Sequence, residues 1–237
     1  MGLKDTINQN LTDLIGYDWQ TTDGTVVPKT TDIALKNGAR NLNAVYLYAD
    51  MMGSTKLVTE FPPETAAKVM RAFLSTACRI IHHHDGHIRS FDGDRVMGIF
   101  IGDWKNSRAV KAAMEIKYAT DNFVRPALER RLPSLVTKGF ALSHVSGIAS
   151  GKVFMARAGI RDHNDLISVG EAANIAAKLS DIRETPQRRT YITKTVYDDM
   201  SPDRRLSEGK PMWEESVQTI NGARRTVYRS SWGWTIS

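Results

Sequence analysis

The stretch LNAVYLYADMMGSTKL, residues 42 to 57, limits the fold more than any other part of this 237-residue chain. Leu42, Val45, Tyr46, Leu47 and Tyr48 favour a pleated, largely buried strand, because β-branched and aromatic side chains pack well on a pleated surface. Asp50 then falls at the end of that strand, where a carboxylate can reach a site. Gly53 lets the chain turn sharply, and the amides of Met52, Gly53, Ser54 and Thr55 are predicted to line a concave loop leading into a helix. Amides converging on such a loop suit phosphate oxygens. A carboxylate beside a phosphate cradle points to a bridging metal ion.

Around that strand, apolar periodicity orders the remaining elements. Ala66, Val69, Met70, Phe73, Leu74, Ala77 and Ile81 recur at helical spacing and predict a helix over roughly 62 to 82. HIRSF and RVMGIFI form a hairpin around Asp92-Gly93, a strong turn signal. A second helix is expected over roughly 105 to 124. TKGFALSHVSGIASGKVFMARAG reads as two strands joined at Ala149 to Gly151, and a third helix begins near Glu171. TVYRSSWGWTIS supplies a last strand through about Arg229 and a tail whose Trp232 and Trp234 are expected to pack on the domain or on a twin subunit. The β-α-β-β-α-β order, with added elements, is that of an α+β, ferredoxin-like sheet with helices on one face. This domain takes residues 41 to 230, between an N-terminal helical arm and linker (1 to 40) and a C-terminal tail (231 to 237). In the arm, Leu3, Ile7, Leu11, Leu14 and Ile15 share one helical stripe, suited to packing or dimerisation.

Composition excludes several classes of function. No apolar run approaches a membrane span and MGLKDTINQN lacks the apolar core of a secretory signal, so no membrane association and a cytoplasmic location are expected. Cys78 is the only cysteine, which rules out a disulfide framework; it sits in the first predicted helix and reads as a buried, unreactive thiol. The formal charge of +6 comes partly from scattered arginine pairs and not from a basic tract interleaved with aromatics. Such a field steers a polyanionic small molecule such as a nucleotide, and nucleic acid is not an expected partner. His82, His83, His84 and His87 sit where a helix ends, and consecutive histidines cannot all face one ion, so they read as a solvated terminus. His144 and His163 have no partner at ligand spacing.

Asp94 follows the Asp92-Gly93 turn and by itself is an ordinary turn carboxylate. In a ferredoxin-like sheet, however, the first strand lies beside the hairpin, which puts Asp50 and Asp94 at neighbouring positions. Two carboxylates next to a phosphate loop are what hard divalent cations use, because oxygen ligands leave room for water and substrate phosphates. YADMMGST together with FDGDRVMGIF resembles the two metal-aspartate motifs of the class III nucleotidyl cyclases. VSGIASGKV resembles the glycine-bearing strand pair of that family, and SVGEAANIAAKLS resembles the helix carrying its transition-state residues. The four motifs occur in order within residues 41 to 229.

The resemblance implies a homodimeric catalytic domain with a mixed, mainly antiparallel sheet. Such a domain converts a nucleoside triphosphate to a 3′,5′-cyclic monophosphate and pyrophosphate, using two Mn²⁺ or Mg²⁺ ions per active site. It implies that Asp50 and Asp94 bridge both ions and that the backbone carbonyl of Met51 is a further ligand. Asn174 matches the family's ribose-orienting asparagine, and Lys178, four residues on and on the same helical face, stands where an arginine is usual. Lysine offers the α-phosphate a point charge without a planar fork, so Arg183 stays open as an alternative cation. Read without the family, Asn174 and Lys178 are the polar side of a helix whose Ala173, Ile175, Ala176, Ala177 and Leu179 are small or apolar.

Two departures bear on the base. Ser90 stands where adenylate cyclases place a base-reading lysine, and Ile167 stands at the second base position, typically Asp or Thr. A guanylate reader would need Glu at the first place. With these changes the chain resembles the pyrimidine cyclases of Pycsar antiphage systems. That resemblance implies cyclic UMP or cyclic CMP as product, Mn²⁺ as the effective ion and a separate effector protein activated by the messenger. Uracil is favoured over cytosine, with Ser90 or Arg89 at the pyrimidine edge. The rival readings are an adenylate cyclase with an atypical base pocket and a catalytically silent nucleotide-binding regulator. In the family each active site is shared between subunits, so both halves in one chain imply a homodimer with two equivalent sites.

Overall fold

The computed structural model describes residues 2 to 236. In chain order its first elements are α1 (Leu3–Gly16), β1 (Gln20–Asp23), β2 (Gly38–Met51), α2 (Ser54–Glu60), α3 (Pro63–His83), β3 (His87–Asp92) and β4 (Arg95–Phe100). Then come α4 (Lys105–Ala119), α5 (Arg125–Arg131), α6 (Pro133–Thr137), β5 (His144–Ile160), β6 (His163–Val169) and α7 (Glu171–Ser180). The chain finishes with β7 (Thr190–Thr193), α8 (Lys194–Asp199), β8 (Leu206–Ser207), β9 (Lys210–Pro211), β10 (Glu214–Ile220) and β11 (Ala223–Ser230).

β2 is the hub of a sheet ordered β10-β11-β7-β5-β2-β4-β3, with β1 beside the start of β2 and β6 beside the end of β5. Pairing is antiparallel except for β5 with β7 and β1 with β2. Its β5-β2-β4-β3 centre is the ferredoxin-like order expected from the succession of elements. Alternation along β2 explains its place. Val45, Leu47, Ala49 and Met51 enter a core shared with Phe73 and Ile81 of α3 and Val110 and Ile116 of α4. Ala44 and Tyr46 enter a second core with Ala172, Ile175, Ala176 and Leu179 of α7. A strand apolar on both faces is stable only with both faces covered.

The single-face helical layer of the sequence reading therefore acquires a counterpart: α3, α4 and α8 lie on one side, and α7 lies on the other. Glycine lets α7 come so close. A Cβ on Gly147 of β5 would stand 2.1 Å from the Ala176 carbonyl oxygen and 2.4 Å from the Ser180 nitrogen.

Several expectations are corrected. Ala149 to Gly151 do not join two strands. They pair with Tyr46, Val45 and Ala44 inside one 17-residue strand, β5, and the small residues serve helix packing instead of a turn. The second helix runs over the expected 105 to 124, α-helical to Ala119 and then π-helical over Thr120–Val124, where Asp121 binds Lys117, Arg125 and Arg189. Residues 20 to 23 belong to the sheet and not to a linker. His84 is not solvated: it is buried against Glu115, with Nε2 2.8 Å from Oε2. Cys78 is half-buried at the edge of the core. In the tail, the Trp234 amide donates to the Met114 carbonyl at 3.1 Å and Arg204 stacks on the Trp234 ring. No residue of α1 is buried, and Leu3, Ile7, Leu11, Leu14 and Ile15 are all exposed.

Candidate active site

Asp50 is the penultimate residue of β2, paired with Arg95 of β4 on one side and Val145 of β5 on the other. The hairpin turn consists of Gly93 and Asp94 themselves, with Asp92 opposite Arg95, so the Asp94 carboxylate rises at the strand end beside Asp50. Gly93 takes φ +61°, which a two-residue hairpin demands and a side chain would disfavour. Burial pushes the Asp50 carboxyl above its ordinary pKa; the bond from Arg183 opposes that shift, and the Asp94 charge adds to it.

The two carboxylates are satisfied differently. Asp50 Oδ2 accepts a hydrogen bond from Arg183 Nη2 at 2.8 Å. Asp94 Oδ2 is buried and accepts none. A buried carboxylate oxygen without a donor is costly in a closed protein and well placed for a cation. Among the described residues no group of three or more His, Cys, Asp or Glu side chains could hold a metal. Two aspartates and a main-chain carbonyl nonetheless form an all-oxygen set suited to Mg²⁺ or Mn²⁺, which keep water and phosphate oxygens as their other ligands. The Met51 side chain is buried in the helix-side core, so only its backbone faces such a role.

The phosphate cradle is narrower than expected. The Met52 amide is taken by the Ser143 carbonyl at 2.8 Å, which removes it from the predicted set. Gly53 adopts φ +79° and leads into α2, leaving the amides of Gly53, Ser54 and Thr55 ahead of the helix's own bonding pattern. Beneath Met51, in register with it on β5, lies the fully buried His144. Burial, then the charges of Arg189 and Lys117, hold its pKa well below the usual value, so the ring is neutral.

Asn174 and Lys178 are exposed on the outer face of α7, opposite the buried Ala172, Ile175, Ala176 and Leu179. Among the described residues neither makes a side-chain hydrogen bond or an ion pair within the chain, unlike Arg183. Arg89 sits at a bulge between Ile88 and Ser90 and is tied to Asp165 of β6, so its guanidinium is engaged within the chain. Ser90 is half-buried opposite Met97, while Ile167 is exposed on β6. The residues that sequence reasoning missed are Arg95, which pairs with Asp92 and Asp181 and lies over the Tyr48 ring, and the cis contact of Arg183. Arg95 was findable, since it follows Asp94 directly in the hairpin; the Arg183 contact carried no local signal.

No protein-family model matches the chain. The uridylate cyclase of Xanthomonas perforans is 42% identical over 238 residues, covering 100% of both chains. The uridylate cyclase of Rhodovulum sp. (strain MB263) is 40% identical over 234 residues, covering 98% of this chain and 97% of the relative. Among solved structures, that of the guanylyl cyclase Cya2 superposes with a TM-score of 0.67 at 19% identity, over 82% of this chain and 94% of that one. The last likeness bears on the fold alone.

Proposed function

The chain belongs to the uridylate cyclase family of class III nucleotide cyclases, and on that premise we propose that it converts UTP to 3′,5′-cyclic UMP and pyrophosphate. One observation carries the chemistry: Asp94 lies near enough to Asp50 for its charge to raise the Asp50 pKa, and its Oδ2 is buried and lacks a donor. Asp50, Asp94 and the Met51 carbonyl would hold two divalent ions, Mn²⁺ or Mg²⁺. The chemistry such ions supply there is a lowered pKa at the ribose 3′-hydroxyl and neutralised charge on the triphosphate.

The chain's own residues do the rest. The amides of Gly53, Ser54 and Thr55 donate to phosphate oxygens. Asn174 of the partner subunit orients the ribose so that O3′ lies in line with the α-phosphorus and the departing pyrophosphate oxygen, and Lys178 of the partner subunit offsets charge at the α-phosphate. The outward, unengaged position of both side chains on α7 supports their service across a homodimer interface. UTP is preferred to CTP because the full-length relatives carry the uridylate cyclase name. Ser90 and Ile167 lie near the base in this reading, and Arg89 acts through its bond to Asp165. The product is a messenger for a separate antiphage effector in the cytoplasm, a reading that the resemblance to Pycsar cyclases supports.

Purified protein incubated with ATP, GTP, CTP or UTP separately, in Mn²⁺, tests this directly by chromatography and mass spectrometry. Cyclic UMP from UTP is the expected product. Cyclic AMP as the dominant product, or none from any triphosphate, overturns the reading.

A further inference from the structure

We propose that Arg183 is a resident counter-cation of the metal site, which occupies Asp50 when no divalent ion is bound and must release it for the site to load. The inference rests on reading Asp50 and Asp94 as metal ligands.

Arg183 is anchored for this task. Its Nη1 donates to the Ser180 carbonyl at 2.8 Å and the Ile182 carbonyl at 3.0 Å, at the end of α7, where the helix dipole favours a cation. The other arm of the planar guanidinium, Nη2, reaches Asp50 Oδ2 at 2.8 Å. The segment that bears it is tied to the far side of the site, because Asp181 pairs with Arg95 of the hairpin that carries Asp94.

Exposure decides which partner moves. The Arg183 side chain is 40% accessible and that of Asp50 only 14%. The arginine can withdraw into water without opening the fold, whereas the carboxylate stays where β2 puts it. A guanidinium and a metal ion use the same lone pairs of Oδ2, so the two compete for that oxygen. Arg183 serves only one of the two carboxylates, since Asp94 Oδ2 has no donor. The pair thus spares the metal-free protein a stranded buried charge at Asp50 and lowers the site's apparent affinity for the ion. In this role Arg183 acts within its own subunit, distinct from Lys178 on the exposed face of α7.

The test uses the full chain without nucleotide. Mn²⁺ is titrated into wild type, Arg183→Gln and Asp50→Ala while the free ion is followed by electron paramagnetic resonance. Thermal unfolding of wild type and Arg183→Gln is recorded in EDTA and in saturating Mn²⁺. Arg183→Gln is expected to bind Mn²⁺ about fivefold more tightly than wild type, the scale of one partly exposed ion pair. It is expected to melt lower than wild type in EDTA, with the gap closing in Mn²⁺. Unchanged or weaker Mn²⁺ binding by Arg183→Gln, or an equal melting gap in both conditions, overturns the proposal. Mn²⁺ binding by Asp50→Ala equal to that of wild type is a separate outcome: it defeats the metal-site reading and the inference with it.

Discussion

At Asp50 the needs of folding and of chemistry oppose one another. Burial raises its pKa, Arg183 partly offsets the shift, and the neighbouring Asp94 charge enlarges it, with Arg95 acting the other way. Since the folded value lies above the unfolded one, the native state holds more protons than the unfolded chain between the two. The Asp50 contribution to stability is therefore fullest below the ordinary carboxylate range and declines as pH rises to the raised Asp50 value. A metal ion draws on the opposite form, the charged carboxylate, and competes with protons for it. Asp50→Asn, which cannot ionise, is expected to abolish turnover yet leave the metal-free protein at least as stable as wild type at neutral pH, measured by urea unfolding in EDTA. A clear loss of stability in that variant contradicts the burial argument. Mn²⁺ affinity should in turn weaken on acidification, because protons and the ion compete for the Asp50 oxygens.

Among the elements, the seat of α7 on β5 is the joint through which a distant strand positions Asn174 and Lys178, the residues proposed for cyclisation. At that joint β5 has no side chain at Gly147, so the helix backbone rests against it. Gly147→Ala places a methyl group against backbone atoms that have no rotamer to relax into, and should cost about 1–3 kcal/mol or more. Gly151→Ala is the control, because its Cβ would meet only the Ala172 methyl at an ordinary 3.5 Å. Equal midpoints for the two variants in chemical denaturation would show that α7 does not depend on this approach. The π-helical turn after α4 is a comparable device: it aims Asp121 at Arg189, whose Nε also holds the His144 carbonyl opposite Met51.

For the whole molecule, the arrangement of charged groups argues for shared sites. The Asp50 and Asp94 carboxylates proposed to hold metal lie at one end of the central strand, while Asn174 and Lys178 are exposed on the outer face of α7. The apolar stripe of α1, with none of its residues buried on its own chain, gives a second surface suited to a twin subunit. If each site takes its carboxylates from one subunit and its helix residues from the other, mixing inactive Asp50→Ala and Lys178→Ala proteins restores one working site per mixed dimer. Random exchange of equal amounts should then return about a quarter of wild-type activity. A mixture as inactive as its components would confine each site to a single chain. Among the described residues no helix is long and apolar enough to cross a membrane.

Much of this protein was legible in its sequence because the relevant signals are local. The alternation of β2, the Gly53 turn, the hairpin bearing Asp94 and the polar face of α7 each depend on residues a few positions apart, whose backbone preferences the assembled fold did not override. Other features needed the assembled fold. His84 meets Glu115 across 31 residues, and Asp50 meets Arg183 across 133. The continuity of β5 through its small residues, the placement of α7 on the opposite face and the capture of the Met52 amide by Ser143 likewise follow from which segments lie side by side. Periodicity specifies which face of an element is apolar. It does not specify which distant group will satisfy a buried donor or acceptor, and that choice, made by packing, is what set the electrostatics of the site.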